Sequence, residues 1–361
     1  MSITILTASD VDELIADPAS LEQAIASQRE ILTEFSAPAA LDPKNAQSQA
    51  IQIPPRISLA SENVTALCMP SRVKILERNH EIGTGIGVKV VSVPHEGGAG
   101  LPATTTLFDG RTGKLQAVVN ARNLTALRNA CASALFIQSL PCVSASATNL
   151  VLFGSGAQAE YHARVICATV PTIRKVIIVA RSETSRLQKL ITQLQDVLSG
   201  VTVQSILHDA GAEDSADPEE LRHAVAQADI ICTMTSSTIP LFTTPLQEPC
   251  ALVLIGSYKP HMQEITQEVL AQARTNGRAV IVDSAEACLR EAGELIMAGL
   301  TKTDVKELGQ VLHGADVGGQ SEKGVYLFKS VGISIQDIAI ADVVLRLARE
   351  RGVGTVVPGY N

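Results

Sequence analysis

Two glycines separated by a single serine follow a short aliphatic run in the segment 151-VLFGSGAQAEYHARV-165. A helix-like stretch comes next, so the glycines are expected at a turn from a strand into a helix. There Gly154 permits the tight bend, Gly156 lets a pyrophosphate approach the backbone, and Ala159 allows close helix–sheet packing. Free N–H groups at the helix start attract phosphate, although a turn without a ligand is the alternative. The predicted dinucleotide contacts are Gly154, Ser155, Gly156, Ala157 and Gln158.

The next strand-like run indicates which dinucleotide would bind. In 178-IVARSETSR-186, Arg181 stands where NAD-binding proteins usually place an acidic residue for the ribose 2′-hydroxyl, and Ser182 lies beside it. A guanidinium group suits a 2′-phosphate. We therefore expect NADP(H) to be the preferred cofactor. Glu183 close by keeps NAD(H) possible, and a solvated arginine at a strand end is the alternative.

The elements around the turn predict the fold class, which is α/β. From about residue 149, short aliphatic runs alternate with helix-like segments, and this predicts βαβ units and a parallel sheet. The earlier part begins with one helix, capped by Ser9 or Asp10 and ending near residue 35, and continues with hairpin-like strands. That part is predicted to be α+β with an antiparallel or mixed sheet. Residues 325–331 form another strand-like run, and we expect the helix after it to return to the first domain.

Composition limits the class of protein. Hydrophobic residues make up 46% and charged residues 18% of the 361 residues, so a large buried core is expected. The net charge of −8 argues against a nucleic-acid partner. The seven cysteines are scattered without a CxxC pair, which predicts reduced thiols and no metal site. With an acidic N-terminal stretch and no apolar run of roughly 18 residues, we expect a cytoplasmic protein without membrane contact.

Several stretches together resemble the ornithine cyclodeaminase/mu-crystallin family. They cover most of the chain from residue 87 onward, in the order GVKV (87–90), TGKLQAVVNARNLTALRNACAS (112–133), GSGAQAEYHA (154–163), ADIICTMTSST (228–238), VDSAEA (282–287), ELGQVL (307–312) and LFKSVGISIQDIAIAD (327–342). The resemblance implies a Rossmann dinucleotide-binding domain at 131–317, inserted into a substrate-binding and dimerisation domain built from 1–130 and 318–361. It also implies a homodimer that acts on a small amino, imino or 2-oxo acid.

A cationic clamp for the substrate carboxylate follows from the same resemblance. By position its members are Arg56 in IPPRIS, Lys89 in GVKV and Arg128 in TALRNA. A guanidinium group can hold a carboxylate through two hydrogen bonds, and fixing it presents the α-carbon to a nicotinamide. A loop arginine on a proline-rich surface is the alternative for Arg56. Lys89 and Arg128 are harder to explain structurally, because a cation in an apolar run needs a partner.

Two carboxylates that the family's cyclodeaminases carry are missing here. Tyr258 in GSYKP replaces an acidic residue, and Leu67 in ALCMP replaces a glutamate. Cyclisation of ornithine with loss of ammonia requires acid–base chemistry at nitrogen. The sequence therefore favours an NADPH-dependent oxidoreductase that reduces a ketimine or other imino acid, or aminates a 2-oxo acid reductively. The expected proton donors are Lys89, Tyr258 and Glu286.

Four further residues are expected near the cofactor. Thr233, Thr235 and Ser237 follow a predicted parallel strand at the end where open α/β sheets bind ligands, and the resemblance places them beside the dinucleotide. It also places Val331 near the nicotinamide. Two other functions stay open: a cyclodeaminase-type lyase that uses NAD, and a mu-crystallin-like protein that binds NADP and a small ligand without turnover. All three basic clamp residues are present, which argues against a pure binder of apolar ligands.

Overall fold

The computed structural model describes residues 2–37, 51–73, 85–95, 101–212, 216–317 and 323–361. The strands are β1 (Ile3–Leu6), β2 (Ile51–Gln52), β3 (Ile57–Ala60), β4 (Val64–Val73), β5 (Ile86–Pro94), β6 (Ala103–Phe108), β7 (Leu115–Asn120), β8 (Asn149–Phe153), β9 (Lys175–Ala180), β10 (Thr202–Leu207), β11 (Ile230–Thr233), β12 (Cys250–Leu254), β13 (Val280–Val282), β14 (Val305–Glu307), β15 (Val325–Lys329) and β16 (Thr355–Val357). The α-helices are α1 (Ala8–Leu14), α2 (Pro18–Phe35), α3 (Leu124–Gln138), α4 (Pro141–Ser144), α5 (Ala157–Thr169), α6 (Ser185–Val197), α7 (Glu219–Ala226), α8 (Gln267–Ala273), α9 (Ala285–Glu291), α10 (Gly293–Met297), α11 (Leu308–Leu312) and α12 (Ser334–Arg351).

The chain forms two compact units. The first contains Met1–Arg128 and Gly332–Asn361, and the second contains Asn129–Val331. The α/β class with a parallel sheet is confirmed. The predicted second boundary, at residues 317 and 318, differs from the one observed, because β15 pairs with β12 and β13 in the parallel sheet. The chain therefore returns to the first unit only after Val331, as the long helix α12 begins.

The first unit is built on a mixed sheet with the strand order β16-β1-β7-β6-β5-β4-β2, and β3 pairs with β4. Strand β1 is parallel to β7, whereas β4, β5 and β6 are antiparallel neighbours. Helix α12 packs on β4, β5 and β6, and α2 packs on α12. The apolar sequence of α12 explains this position, since almost every residue from Ser334 to Leu345 is buried. The mixed α+β character predicted for this part is confirmed.

The predicted N-terminal helix is two helices. Thr7 caps α1 and Asp10 completes its capping box. The helix ends at Leu14, and Asp17 then caps α2, whose first residue is Pro18. A capping residue followed by proline starts a helix, because proline lacks an N–H at a position where that group has no partner within the helix. Strand β4 extends to Val73, while residues 38–50 and 74–84 lie outside the described residues.

The second unit contains a fully parallel sheet with the order β10-β9-β8-β11-β12-β15-β13-β14. The strand order reverses between β8 and β11, because successive strands run outward from β8 on one side and from β11 on the other. In open α/β sheets, ligands bind at the carboxyl ends of the strands at such a reversal. The core around these strands is aliphatic, as the composition predicts. The topology therefore directs attention to the residues that follow β8 and β11.

Candidate active site

The glycine turn lies at the carboxyl end of β8, at the point of strand reversal. Gly154 has a φ of 124°, which favours glycine, and its N–H donates to the Val179 carbonyl at 2.9 Å. Gly156 precedes α5 as its N-cap residue and provides no capping side chain. A Cβ added to Gly156 would meet no protein atom within 4 Å. The backbone at Gly156 and the N-terminus of α5 are thus open to a phosphate, as the motif requires.

Buried hydroxyls at the end of β11 also fit a ligand. Thr233 is the last residue of β11 and the register partner of Phe153 in β8, and its hydroxyl has no hydrogen-bond partner among the described residues. The same holds for the Thr235 hydroxyl and the Gln158 side-chain oxygen. Buried polar atoms are nearly always hydrogen-bonded, so these groups suit the polar atoms of a dinucleotide. Ser237 differs, since its hydroxyl donates to the Ile239 carbonyl at 2.6 Å.

The residues expected to select the ribose lie at the end of β9, the strand next to β8. Arg181 and Ser182 directly follow the strand, and both are exposed. The Glu183 carboxylate accepts a hydrogen bond from the Gln188 side chain at 3.0 Å. Glu183, the acidic residue that left NAD(H) possible as the cofactor, thus has a local hydrogen-bond partner. Arg181 therefore lies at the strand end where a ribose is expected.

A buried charged cluster in the first unit contains two of the three clamp residues. Lys89 and Arg128 are 2% and 3% exposed and share the carboxylate of Asp337. The Lys89 ammonium lies 2.7 Å from one Asp337 oxygen, and the Arg128 Nε lies 3.1 Å from the other. Arg128 also donates through Nη1 to the Gln336 side-chain oxygen at 3.0 Å. The Asp337 carboxylate on α12 therefore links Lys89 on β5 with Arg128 on α3.

Strand alternation explains how these side chains share one side of the sheet. Lys89 pairs with Met69 in β4 and with Thr105 in β6, and directly opposite residues point to the same face. Arg56 immediately precedes β3 and is half-buried, and its charge lowers the pKa of Lys89. The Thr105 hydroxyl is buried and has no hydrogen-bond partner within the part of the chain that the structure describes. The face that carries Lys89 is thus the polar part of an otherwise apolar interior.

Cationic side chains predominate in the described part of this cluster. Lys89 and Arg128 both contact the carboxylate of Asp337, and the charge of Arg56 also acts on Lys89. The pKa of Lys89 is lowered to about 8, chiefly by burial and also by the charges of Arg128 and Arg56, while Asp337 opposes the shift. An anion placed beside these groups would interact favourably with their positive charges.

Gly332 lies against the guanidinium group of Arg128. Its φ of 82° is a left-handed conformation that favours glycine. A Cβ at this position would lie 2.7 Å from the Arg128 Nη2 atom. The glycine therefore allows the backbone that enters α12 to approach the arginine closely, and any side chain would displace the guanidinium.

Asp337 and Gln336 belong to this cluster although they were not expected there. Both stand in the segment 334-SIQDIAIAD-342, where two adjacent polar residues interrupt an apolar helix. Since buried acidic residues almost always have a partner, this interruption was the available signal. Its link to Lys89 and Arg128 depends on the tertiary fold, because the two groups are more than two hundred residues apart.

The residues at the two missing carboxylate positions lie in apolar surroundings. Leu67 packs against a small cluster that contains Met69 and Val91, on the sheet face that carries Lys89. Tyr258 is half-buried and packs against the core of the second unit, with the Lys259 ammonium 5.8 Å from its ring centre. Neither position offers a carboxylate for chemistry at a substrate amine.

The structure gives Glu286 a different environment from the one expected of a proton donor. Its side chain is 82% exposed on α9 and pairs with Arg290 one turn away, at 3.5 Å. An exposed helical pair of this kind contributes little beyond local helix stability. Val331, in contrast, is buried at the end of the second unit. Lys89 and Tyr258 remain the expected proton donors, whereas the exposed position of Glu286 does not suit that role.

Metal-site and membrane-spanning features are not found among the described residues. In those ranges, no three His, Cys, Asp or Glu side chains come together in a metal-binding arrangement. Likewise, none of the helices there combines the length and the apolar character needed to cross a bilayer.

Comparison with known proteins gives a consistent result. The family model described as "Ornithine cyclodeaminase/mu-crystallin family" matches residues 21–352. A Δ1-pyrroline-2-carboxylate reductase from Bacillus cereus is 32% identical over 332 residues, which cover 90% of this chain and 91% of that protein.

Two solved structures share the fold. One is a Δ1-pyrroline-2-carboxylate reductase from Thermococcus litoralis in complex with NADH and L-proline, with a TM-score of 0.77, 23% identity and coverage of 98% and 99% of the two chains. The other is an archaeal alanine dehydrogenase dimer with bound NAD, with a TM-score of 0.75, 23% identity and full coverage of both chains at 100%. From its sequence match, the chain belongs to the ornithine cyclodeaminase/mu-crystallin family.

Proposed function

We propose that this protein reduces the C=N bond of an imino acid, or aminates a 2-oxo acid reductively, with NADPH. The chain is an oxidoreductase, like the relative named Δ1-pyrroline-2-carboxylate reductase. The observation that carries the proposal is the convergence of two buried cations, Lys89 and Arg128, on the one carboxylate of Asp337. Such a cluster binds a carboxylate, while the glycine turn at Gly154 supports dinucleotide binding. A lyase of the cyclodeaminase type is disfavoured because Leu67 and Tyr258 replace its carboxylates.

Four side chains have proposed roles in substrate binding and proton transfer. Arg128 and Arg56 hold the substrate carboxylate, and burial removes the water that would compete for it. Lys89 adds charge and can hold a proton on Nζ, since a group with a pKa of about 8 is mostly protonated at neutral pH. Protonation of an imine nitrogen makes the adjacent carbon electrophilic, and the Tyr258 hydroxyl is the second proposed proton source. A bound nicotinamide supplies the hydride for this reduction.

A panel of cyclic imino acids, and of 2-oxo acids paired with amines, tests the function. We expect the absorbance of NADPH to fall with at least one member of the panel, and the product to be an amino acid. Release of ammonia from ornithine in the presence of NAD would instead support a cyclodeaminase. Binding of NADPH without turnover across the panel would support a ligand-binding protein.

Carboxylate binding should weaken as pH rises. Lys89 loses its charge above a pKa of about 8, so the cationic cluster becomes a poorer anion site in alkaline solution. For an inert analogue such as cyclopentanecarboxylate, which stays ionised from about pH 6.5 to 9.5, we expect the inhibition constant to be flat at first. Above about pH 8 it should rise by up to tenfold per pH unit. The alkaline rise should be lost in Lys89→Met; an unchanged rise would assign the titration to another group.

Arg181 should determine the cofactor preference. Truncation to alanine removes a charged partner of a 2′-phosphate, worth about 1.5–3 kcal/mol, so the Kd of NADPH should rise by about 10- to 100-fold. The Kd of NADH should change little, because NADH lacks that phosphate. Fluorescence titration with both dinucleotides measures the difference. Arg186→Ala, at an exposed residue of α6, is the control. Equal losses for NADH and NADPH would contradict the assignment of Arg181.

We also propose that the protein is a homodimer formed through the first sheet. On the face opposite Lys89, Ile57 and Leu59 of β3 are 57% and 60% exposed, and Ile57 lies in one row with Cys68 and Val90. The archaeal neighbour is a dimer. Leu59→Glu should therefore halve the mass measured by light scattering, whereas Val197→Glu, at an exposed residue of the second unit, should not. A dimeric Leu59→Glu variant would place the interface elsewhere.

A further inference from the structure

A second buried charged cluster lies at the carboxyl ends of the strands in the second unit. Glu264 is fully buried, and its carboxylate accepts three backbone N–H groups. One oxygen accepts from Thr235 at 3.0 Å, and the other accepts from Gly256 at 2.7 Å and Ser257 at 3.0 Å. Thr235 lies just beyond β11, and Gly256 and Ser257 lie just beyond β12. A single carboxylate thus joins the segments that leave two adjacent strands.

The carboxylate is itself held by buried groups. Lys329, the last residue of β15, donates to the Ser257 hydroxyl at 2.5 Å and lies 3.8 Å from Glu264. The Ser257 hydroxyl donates to Glu294 at 2.5 Å, and the Glu294 side chain accepts the N–H of Glu264 at 2.8 Å. Such buried charged networks rarely stabilise a fold more than apolar packing would, and a role in fixing one conformation is their better-attested use.

The two segments also touch directly. A Cβ at Gly256 would lie well inside van der Waals contact with the Thr235 carbonyl and the Glu264 side chain. The backbone of Gly256 is therefore packed against Thr235, with Glu264 closing the contact. Thr233 and Thr235, whose buried hydroxyls lack partners among the described residues, lie on one of these segments, and Tyr258 lies on the other.

We propose that Glu264 is a positioning residue that fixes the segments after β11 and β12 and thereby sets the affinity for the dinucleotide. The inference rests on the proposed function, because it assigns the Thr233 and Thr235 hydroxyls to a bound cofactor. Glu264 acts through the backbone and does not touch the cofactor itself. Lys329 lies 3.8 Å from its carboxylate and Glu294 accepts its backbone N–H, with the Ser257 hydroxyl between Lys329 and Glu294.

Protonation should release the contact. All three backbone partners of the Glu264 carboxylate are donors, so a proton on this group would face other hydrogens. Burial raises the pKa of Glu264, the charge of Glu294 raises it further, and Lys329 and the backbone donors oppose the shift. Acidification should therefore weaken dinucleotide binding at a pH above the range in which an ordinary glutamate, with a pKa near 4.3, is protonated.

The test compares Glu264→Gln with Glu268→Gln, an exposed residue of α8. Glutamine has one acceptor oxygen, so its NH2 group must face N–H donors on one side. We expect the Kd of NADPH, from fluorescence titration well below the Tm, to rise at least tenfold in Glu264→Gln and to stay unchanged in Glu268→Gln. The KM of the substrate at saturating NADPH should change less than threefold. Acid weakening of NADPH binding should be present in the wild type and absent in Glu264→Gln.

Wild-type affinity for NADPH in folded Glu264→Gln would overturn the inference, as would an acid profile that this change leaves intact. If Glu264→Gln does not fold, Glu294→Gln serves in its place, because it removes one acceptor that holds the segment of Glu264; a Kd within twofold of wild type would then overturn the proposal. The proposed function fails separately. A wild type that binds NADPH but reduces no imino acid would refute the reaction and leave the role of Glu264 in binding testable by the same titration.

Discussion

Replacement of Arg128 by alanine is expected to lower kcat/KM for the imino acid by about two to three orders of magnitude. Truncating one partner of a buried, hydrogen-bonded charge pair costs about 2–5 kcal/mol. Here the change removes a carboxylate ligand and leaves Asp337 with Lys89 as its remaining cluster partner. The Kd of NADPH should stay within about twofold, because the arginine serves the substrate. Steady-state kinetics and dinucleotide titration on the same preparations measure both quantities.

Two matched variants complete this experiment. Arg128→Lys keeps the charge but loses the two-pronged geometry of the guanidinium group, so it should fall between the wild type and Arg128→Ala. Arg122→Ala, at an exposed residue just before α3, should behave like the wild type. If Arg128→Ala weakened substrate and NADPH binding equally, the arginine would serve the nucleotide, and the proposed clamp would be wrong.

The substitution Gly156→Val should strongly weaken dinucleotide binding without destabilising the fold. Gly156 has a φ of −101° and a ψ of −170°, which any residue adopts, and a Cβ there meets no protein atom within 4 Å. The stability should therefore change by less than about 0.5 kcal/mol. The new side chain would occupy the space through which a pyrophosphate approaches the backbone, so we expect the Kd of NADPH to rise at least about 100-fold.

The neighbouring glycine provides the contrast. Gly154 has a φ of 124°, so Gly154→Ala strains the backbone and should cost roughly 1–3 kcal/mol of stability. Thermal unfolding and fluorescence titration of both variants separate the two roles. Normal NADPH binding by Gly156→Val would mean that the turn joins a strand to a helix and has no further function.

The parallel sheet was predictable because its signal is local. Each aliphatic run from β8 onward is short and is followed by a helix-like segment, and this alternation specifies βαβ units. The position of β15 was not predictable in the same way. Its run 325-VYLFK-329 reads as a strand, but the partner of a strand is determined by contacts with residues far along the chain. The N-terminal region was predicted as one helix instead of two, because its continuous apolar pattern outweighed the helix-start signal at Asp17–Pro18.

The site was predictable where a motif has a fixed spacing. The turn at Gly154 follows from glycine chemistry, whereas Arg56, Lys89 and Arg128 depended on the family resemblance. The partners of these groups were missed. A lone acid such as Glu264, in the run 261-HMQEI-265, reads as an ordinary surface residue, and nothing local indicates that it is buried. Buried charge networks are assembled by the tertiary fold, so sequence spacing does not reveal them.

Because Gly332 lies close to Arg128, the residues that position 332 can accept depend on the residue at position 128. While the arginine is present, a methyl group at position 332 would collide with it, so position 332 is restricted to glycine as long as Arg128 keeps its place. A descendant that abandoned the arginine would lose this steric constraint and retain only the backbone preference of a φ of 82°. Among related chains, asparagine or another residue at position 332 would thus indicate a protein that no longer binds a carboxylate through an arginine at position 128.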